Sequence, residues 1–326
     1  MIIRVKDLTK SFQVKEKEAG FKSSFKRMFS ATYKEVRAVD NISFNVEEGE
    51  VLAFIGPNGA GKSTTIKMMT GILSRTGGDM SVLDLDPAKH RTQLAFHIGS
   101  VFGQKSQLWF HLPPIDSFNL FSHLYELDQA AYQERLKFLV DAFAIEKYIK
   151  TPVRKLSLGE RMRCEVVGSL LHRPKVVFLD EPTIGLDIVA KQQIREVIKF
   201  INEKEKVTIF LTSHDAGDIE ALSKRTVVIN YGRIIYDGST SDFRRNYINS
   251  KTVELVLEGG TENFDYQEGK ITERGKFNLK IDLPNNGASI ERLLSYATRN
   301  FKLADINIFE PELEEIIATI YKAHRV

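Results

Sequence analysis

The feature that most constrains this 326-residue chain is a short turn, GPNGAGKS, running from Gly56 to Ser63. It sits between an apolar run, Val51 to Ile55, and a segment of helical character that begins at Ser63 and reaches Thr70. An apolar strand that turns through closely spaced glycines into a helix leaves little choice of fold. The glycines let successive backbone N–H groups point inward, and the helix adds its positive dipole end, so the turn is suited to wrap phosphate oxygens. The full pattern G-x-x-x-x-G-K-[ST] is present over Gly56, Pro57, Asn58, Gly59, Ala60, Gly61, Lys62 and Ser63. In that pattern the Lys62 ammonium reaches the β- and γ-phosphates of a nucleotide and the Ser63 hydroxyl ligates Mg²⁺. Thr64 is placed to hydrogen-bond the α-phosphate.

A second half of the site is expected at VVFLDE, Val176 to Glu181. The apolar residues predict a buried strand that delivers Asp180 to the Mg²⁺ shell. Glu181 follows at the strand's C-terminal end, where ligands of open α/β sheets gather and where a carboxylate can polarise an attacking water. Val207–Leu211 predicts a third buried strand, and residues 2–12 an alternating one. Residues 116–150 are predicted helical, with Phe118, Phe121, Leu124 and Tyr125 on one face, and residues 161–172 form a further helix stopped by Pro174. Strands alternating with helices give an α/β domain with a largely parallel sheet.

The pattern changes near residue 240. Thr252–Glu258 and Lys276–Leu283 alternate, the latter with Phe277, Leu279, Ile281 and Leu283 on one face. A helix near Ile290–Arg299, a strand near Leu303–Phe309 and a last helix carrying Leu313, Ile316, Ile317 and Ile320 complete a small α+β domain. The domain reading is therefore 1–239, including a helical part at about 105–165, followed by 240–326.

Composition narrows the function classes. Lys and Arg number 46 against 43 Asp and Glu, a net charge of +3, too balanced to argue for nucleic acid. Cys164 is the one cysteine, so no intramolecular disulfide is possible and a reducing compartment fits. The opening residues read as a strand rather than a signal peptide, and no run of about 18 apolar residues is present, so any membrane role is expected to be peripheral.

LSLGE, Leu156 to Glu160, lies so that Ser157 precedes Asp180 by 23 residues, and it opens a helix. With the phosphate loop and VVFLDE it resembles the signature of ATP-binding-cassette (ABC) ATPases. Leu158 and Glu160 depart from the commonest form, while Ser157 and Gly159, which the family uses on the γ-phosphate, are retained. The resemblance spans roughly residues 1–240 and implies a fold with an antiparallel β-subdomain and a helical subdomain around a P-loop NTPase core. It also implies the remaining roles. Gln104 senses Mg²⁺ and the attacking water, and Gly185, Leu186 and Asp187 form a loop that crosses to the partner subunit. His214 in LTSHD touches the γ-phosphate, and Phe12 in LTKSF stacks on adenine. Catalysis falls to Glu181, His214 and Gln104, and Mg²⁺ to Ser63, Gln104 and Asp180.

One phosphate loop and one signature per chain imply that a second copy, or a homologous ATPase subunit, completes the site over ATP. The wording of the motifs is similar to ATPase subunits of ABC-2-type exporters, which work with separate integral membrane permease subunits at the cytoplasmic face of the cell membrane. An importer ATPase shares every motif. A soluble cassette in translation or DNA repair, usually built with two cassettes or long coiled coils, fits less well.

Other segments each admit two readings. Trp109, Phe110 and Leu112 either line a groove for a permease helix or pack the helical subdomain. Residues 13–37 hold seven basic and three acidic residues, with Phe21, Phe25, Met28 and Phe29 at helical spacing. They read either as a helix packed with its charges solvated or as a basic amphipathic helix on an anionic membrane. Cys164 is expected buried and inert, and His97, His111 and His172 lack metal-ligand spacing.

Overall fold

A computed structural model describes residues 1–15, 33–103, 105–213, 215–247, 250–284 and 287–309. The chain divides into two compact units, Met1–Thr240 and Ser241–Val326. The first is built on a six-stranded sheet of β3 (Val51–Ile55), β5 (Ile98–Phe102), β6 (Val176–Asp180), β7 (Thr208–Thr212), β8 (Arg225–Asn230) and β9 (Arg233–Ser239), in the order β5-β6-β7-β3-β8-β9. Five strands are parallel and β9 is antiparallel at the edge. The apolar runs are continuous because both faces are covered. On β6, Val176 and Phe178 face one core while Val177 and Leu179 face the other.

The first core is shared with a three-stranded antiparallel sheet, in the order β2-β1-β4, of β1 (Ile3–Lys15), β2 (Tyr33–Val46) and β4 (Gly77–Val82). Its centre is aromatic: the Phe210 ring lies 5.2 Å from Phe54, 5.9 Å from Phe178 and 6.0 Å from Phe44, centroid to centroid. The second core is closed by helices α3 (Pro114–Leu124), α4 (Gln129–Ala142), α5 (Leu158–Leu170) and α6 (Ile188–Glu205). Two short helices, α1 (Lys62–Met69) and α2 (Arg91–Ala95), follow β3 and β4. After them in the chain come α7 (Ala216–Leu222), between β7 and β8, and α8 (Thr240–Tyr247), beyond β9.

Several expectations are corrected. The helix expected over 116–150 is two helices. Glu126 adopts φ 52, and the Asp128 side chain caps α4 by accepting from the Ala131 N–H. This break leaves Leu124 60% exposed at the end of α3, while Phe118 is fully buried. LSLGE opens the signature helix as expected, at Leu158 and so ahead of the 161–172 span, because Ser157 and Glu160 cap it reciprocally. The flanks of the basic insert are strand: Gln13 pairs with Glu35 and Ser11 with Arg37 in the β1–β2 ladder. The amphipathic stretch Phe21–Phe29 lies outside the described residues, as does the helix expected at Leu313–Ile320.

The second unit carries β10 (Ser250–Leu257), β11 (Lys270–Arg274), β12 (Asn278–Pro284) and β13 (Leu303–Phe309) in an antiparallel sheet ordered β11-β12-β10-β13, with α9 (Gly287–Asn300) on one face. Leu279, Ile281 and Leu283 are buried, but Phe277 precedes the strand and is exposed. Strand β11 was not anticipated; it is short, and its residues are mostly exposed and charged.

Cys164 is fully buried inside α5, where burial pushes its thiol up to about 12. His172 is stacked on Tyr125 at 3.9 Å and pairs with the Ile98 carbonyl; burial lowers it to about 4, so it is a neutral packing residue. Phe210→Ala, which empties the aromatic centre between the two sheets, is expected to cost about 3–5 kcal/mol. Denaturant unfolding followed by circular dichroism measures it, and a loss below about 1 kcal/mol would mean the site collapses without strain.

Candidate nucleotide site

The sheet order places β7 between β6 and β3, so the C-terminal ends of three parallel strands converge. Phe102, Asp180 and Thr212 are in register across β5, β6 and β7. Beyond them the loop from Gly56 enters α1 through Gly61, whose φ of 112° favours glycine; a Cβ there would also lie 2.5 Å from the Ala38 carbonyl oxygen. The loop is anchored behind by Ala60, whose carbonyl accepts from the Gly232 N–H at 3.0 Å.

These elements enclose a cleft of about 500 Å³. Its lining includes Pro57, Asn58, Gly59, Gly61, Lys62, Ser63 and Thr64 from the loop and α1, Asp180 from the end of β6 and Glu181 just after it. Gly56 and Ala60 are buried behind them. Lys67, Ile72, Phe102, Gly103 and Lys105 complete the wall, a set that the motifs alone did not single out.

Lys62 is 5% exposed. Its ammonium donates to the carbonyl oxygens of Gly56 at 2.6 Å and Pro57 at 3.3 Å, and stands 3.6 Å from Glu181 Oε1. Burial lowers its pKa, and the negative charges of Glu181 and Asp180 oppose the shift. Glu181 is held in the left-handed region at φ 56°, uncommon for a residue with a side chain. Its N–H is fixed by the Thr212 carbonyl at 3.0 Å and the Thr212 hydroxyl at 3.1 Å. The same hydroxyl donates to Asp180 Oδ1 at 2.6 Å. Thr212 therefore holds the Asp180 carboxylate and the Glu181 backbone at once. As an ordinary-looking last residue of an apolar strand, it carries no motif that would betray this.

Ser157, Gly159, Glu160 and Asp187 do not reach this cleft. They line a second cavity of about 300 Å³ with Gly185, Leu186 and Val189. Ser157 is exposed at the N-cap of α5, its backbone N–H donating to Glu160 at 2.8 Å. Gly159 lets α5 meet α6, since a Cβ would come within 2.8 Å of Ala190 Cβ. Asp187 caps α6 by accepting from the Ala190 N–H at 2.9 Å. Phe12 lines neither cavity; it is 37% exposed on β1, with Lys10 Nζ 5.0 Å from its ring centre. Gln104 and His214 lie outside the described residues.

Beside position 214 a polar cluster ties three elements together. Buried Asp218 of α7 accepts from Ser213 Oγ at 2.7 Å, from Arg195 Nε of α6 at 2.7 Å and from the Thr183 hydroxyl. Arg195 also pairs with Asp215 at 2.7 Å. The cluster fixes the backbone on both sides of residue 214 to the helix that follows Asp187.

The glycine-rich loop cleft and the capped helix N-terminus form two separate halves. Residues 39–184 match the ABC transporter family. The ABC transporter ATP-binding protein NatA of Bacillus subtilis (strain 168) is 32% identical over 213 residues, covering 65% of this chain and 86% of that protein. The daunorubicin/doxorubicin resistance ATP-binding protein DrrA of Streptomyces peucetius is 26% identical over 298 residues, covering 88% and 89%. A solved structure of an ATP-binding subunit of an ABC transporter is similar with a TM-score of 0.61 and 26% identity, over 76% of this chain and 93% of that one. The chain belongs to the ATP-binding subunits of ABC transporters and is an ATPase. Among the described residues no helix is long and apolar enough to cross a membrane.

Thr212→Val keeps the strand and its shape but removes the hydroxyl from Asp180. A hydrogen bond to a charged group is worth about 1.5–3 kcal/mol, so ATP turnover is expected to fall about tenfold or more. Steady-state ATPase assays measure it, and wild-type turnover would show that Asp180 is aimed by something else.

Proposed function

We propose that two copies of this chain, or this chain and a homologous ATPase subunit, close face to face over ATP and so energise export through separate membrane permease subunits. The observation that carries the reading is the separation of the two cavities. The phosphate cleft contains no signature residue and the signature cavity no phosphate-loop residue. Each half is open to a second molecule, and ATP bound to one chain is completed by Ser157 and Gly159 of the other.

The chemistry follows from the residues. Lys62 exchanges the carbonyl oxygens of Gly56 and Pro57 for β- and γ-phosphate oxygens, while the loop N–H groups and Thr64 hold the rest of the triphosphate. Ser63 and Asp180 present an oxygen-only pair, which suits Mg²⁺, a hard ion that keeps several waters and binds through few carboxylates. When bound, Mg²⁺ neutralises charge on the β- and γ-oxygens. Glu181 accepts the proton of a water in line with the γ-phosphorus. The water oxygen bonds to that phosphorus as the bond to the β-phosphate oxygen breaks, giving ADP and phosphate. Ser157 and the N-terminal N–H groups of α5 from the partner supply donors to the γ-phosphate. The resemblance assigns Gln104 and His214 to the same step and Asp187 to the crossing between chains. Phe12 is assigned to adenine.

Loss of the γ-phosphate removes the charge-assisted contacts across the interface, and the pair reopens. Export rather than import is supported by the likeness to DrrA over most of both chains, since that protein is named for drug resistance. The permease is assigned to the surface just after Gln104, where Trp109, Phe110 and Leu112 are 48%, 51% and 39% exposed. That placement makes the chain peripheral to the cytoplasmic face of the membrane.

Glu181→Gln is expected to keep ATP affinity, lose about 10²–10⁴-fold in turnover and form a dimer when ATP is added. Adding Ser157→Arg removes that dimer. Light scattering after size exclusion, with and without ATP, reads both variants; an ATP dimer that survives Ser157→Arg overturns the face-to-face arrangement.

A further inference from the structure

Glu165 belongs to no motif, yet it sits on the signature helix at 5% exposure. Its carboxylate accepts from the Ser106 hydroxyl, and at 3.0 Å from the Gln107 N–H. Burial raises the carboxyl's pKa and these donors oppose the rise, so the loop serves as the solvent of a group that water does not reach. The donors all come from the residues that directly follow Gln104 in the chain.

The same segment is fixed to the helical subdomain further along. The Trp109 N–H donates to Ser117 Oγ of α3 at 3.0 Å. The carbonyls of Phe110 and Leu112 accept from the N–H groups of Arg154 and Val153, at 2.9 and 3.1 Å, on the turn that leads into Ser157. Glu165 lies eight residues beyond Ser157, about 12 Å along one continuous helix. Separating loop from helix would strand a buried carboxylate without donors, which makes this attachment stiffer than a contact between neutral groups.

Resting on the composite site proposed above, we propose that Glu165 is a positioning residue: it clamps Ser106 and Gln107 to the signature helix, so that the segment after Gln104 and Ser157 move as one body. A push delivered to Trp109 and Phe110 then changes the placement of Ser157 over the partner's nucleotide. The carboxylate touches neither ATP nor water in the reaction, and its influence passes through the helix.

The test compares Glu165→Gln, Ser106→Ala and the double variant of the full chain in ATP binding and steady-state ATPase assays, with Ser157→Arg as reference. Glu165→Gln places an amide donor against the donors of the loop. It is expected to lower kcat about tenfold while ATP affinity stays within about twofold, because the phosphate loop is untouched. Ser106→Ala is expected to lower kcat about threefold, and the double variant to be no slower than Glu165→Gln, since both act on one contact. Unchanged kcat, strictly additive losses, or an equal loss of ATP affinity overturns the proposal. If Glu165→Gln does not fold, Ser106→Ala decides alone: kcat unchanged overturns it. A failure of the composite site itself reads differently, because Ser157→Arg then keeps its turnover.

Discussion

The structure depends on keeping one ammonium, that of Lys62, almost out of water. A buried cation is costly, and here the cost is met by the carbonyls of Gly56 and Pro57 and by the Glu181 carboxylate. Those partners come from two different strand ends, β3 and β6, which are not neighbours in the sheet. They meet across β7, which lies between them and contributes Thr212, the residue that holds the Asp180 carboxylate and the Glu181 backbone. The continuous apolar strands, the helices on one face and the small antiparallel sheet on the other hold those three strand ends in register.

The same chain builds a second polar surface, and it is not part of the first. Ser157 and Asp187 each cap a helix, and Gly159 lets those two helices meet. A helix N-terminus is suited to an anion, and under the proposed arrangement this one completes the γ-phosphate site of a second chain. Two buried carboxylates tie neighbouring segments to the two helices that meet at Gly159. Asp218 fastens the flanks of position 214 to α6, and Glu165 fastens the loop after Gln104 to α5. Helices α5 and α6 are therefore held by polar ties as well as by apolar packing.

Much of the frame was legible in the sequence because its signals are local. The apolar runs at Val51–Ile55 and Val176–Leu179 are strands, and the glycine turn between strand and helix is where the spacing put it. The errors have local causes too. Residues 116–150 carry helical spacing throughout, yet Glu126 in a left-handed turn and Asp128 as a cap divide them, and neither disturbs the periodicity. Strand β11 was missed because an exposed edge strand needs no alternation of apolar residues. Thr212, Asp218 and Glu165 were illegible for a different reason. Their partners lie far away in sequence (Thr212 is 32 residues from Asp180 and Glu165 is 58 from Gln107), and a tertiary hydrogen bond leaves no periodic trace.

The central claim is that a complete site needs the phosphate loop of one chain and the signature of another. Mixing two defective chains tests it directly. Lys62→Ala keeps a sound signature and Ser157→Arg keeps a sound phosphate loop, and each alone is expected to be inactive. Mixed in equal amounts, they form heterodimers in which one site is intact on both sides. ATPase activity should then rise to about a quarter of wild type if the two sites of a symmetric pair act independently. Activity in the mixture no greater than that of the separate variants, or near-normal turnover by Ser157→Arg alone, would contradict the account.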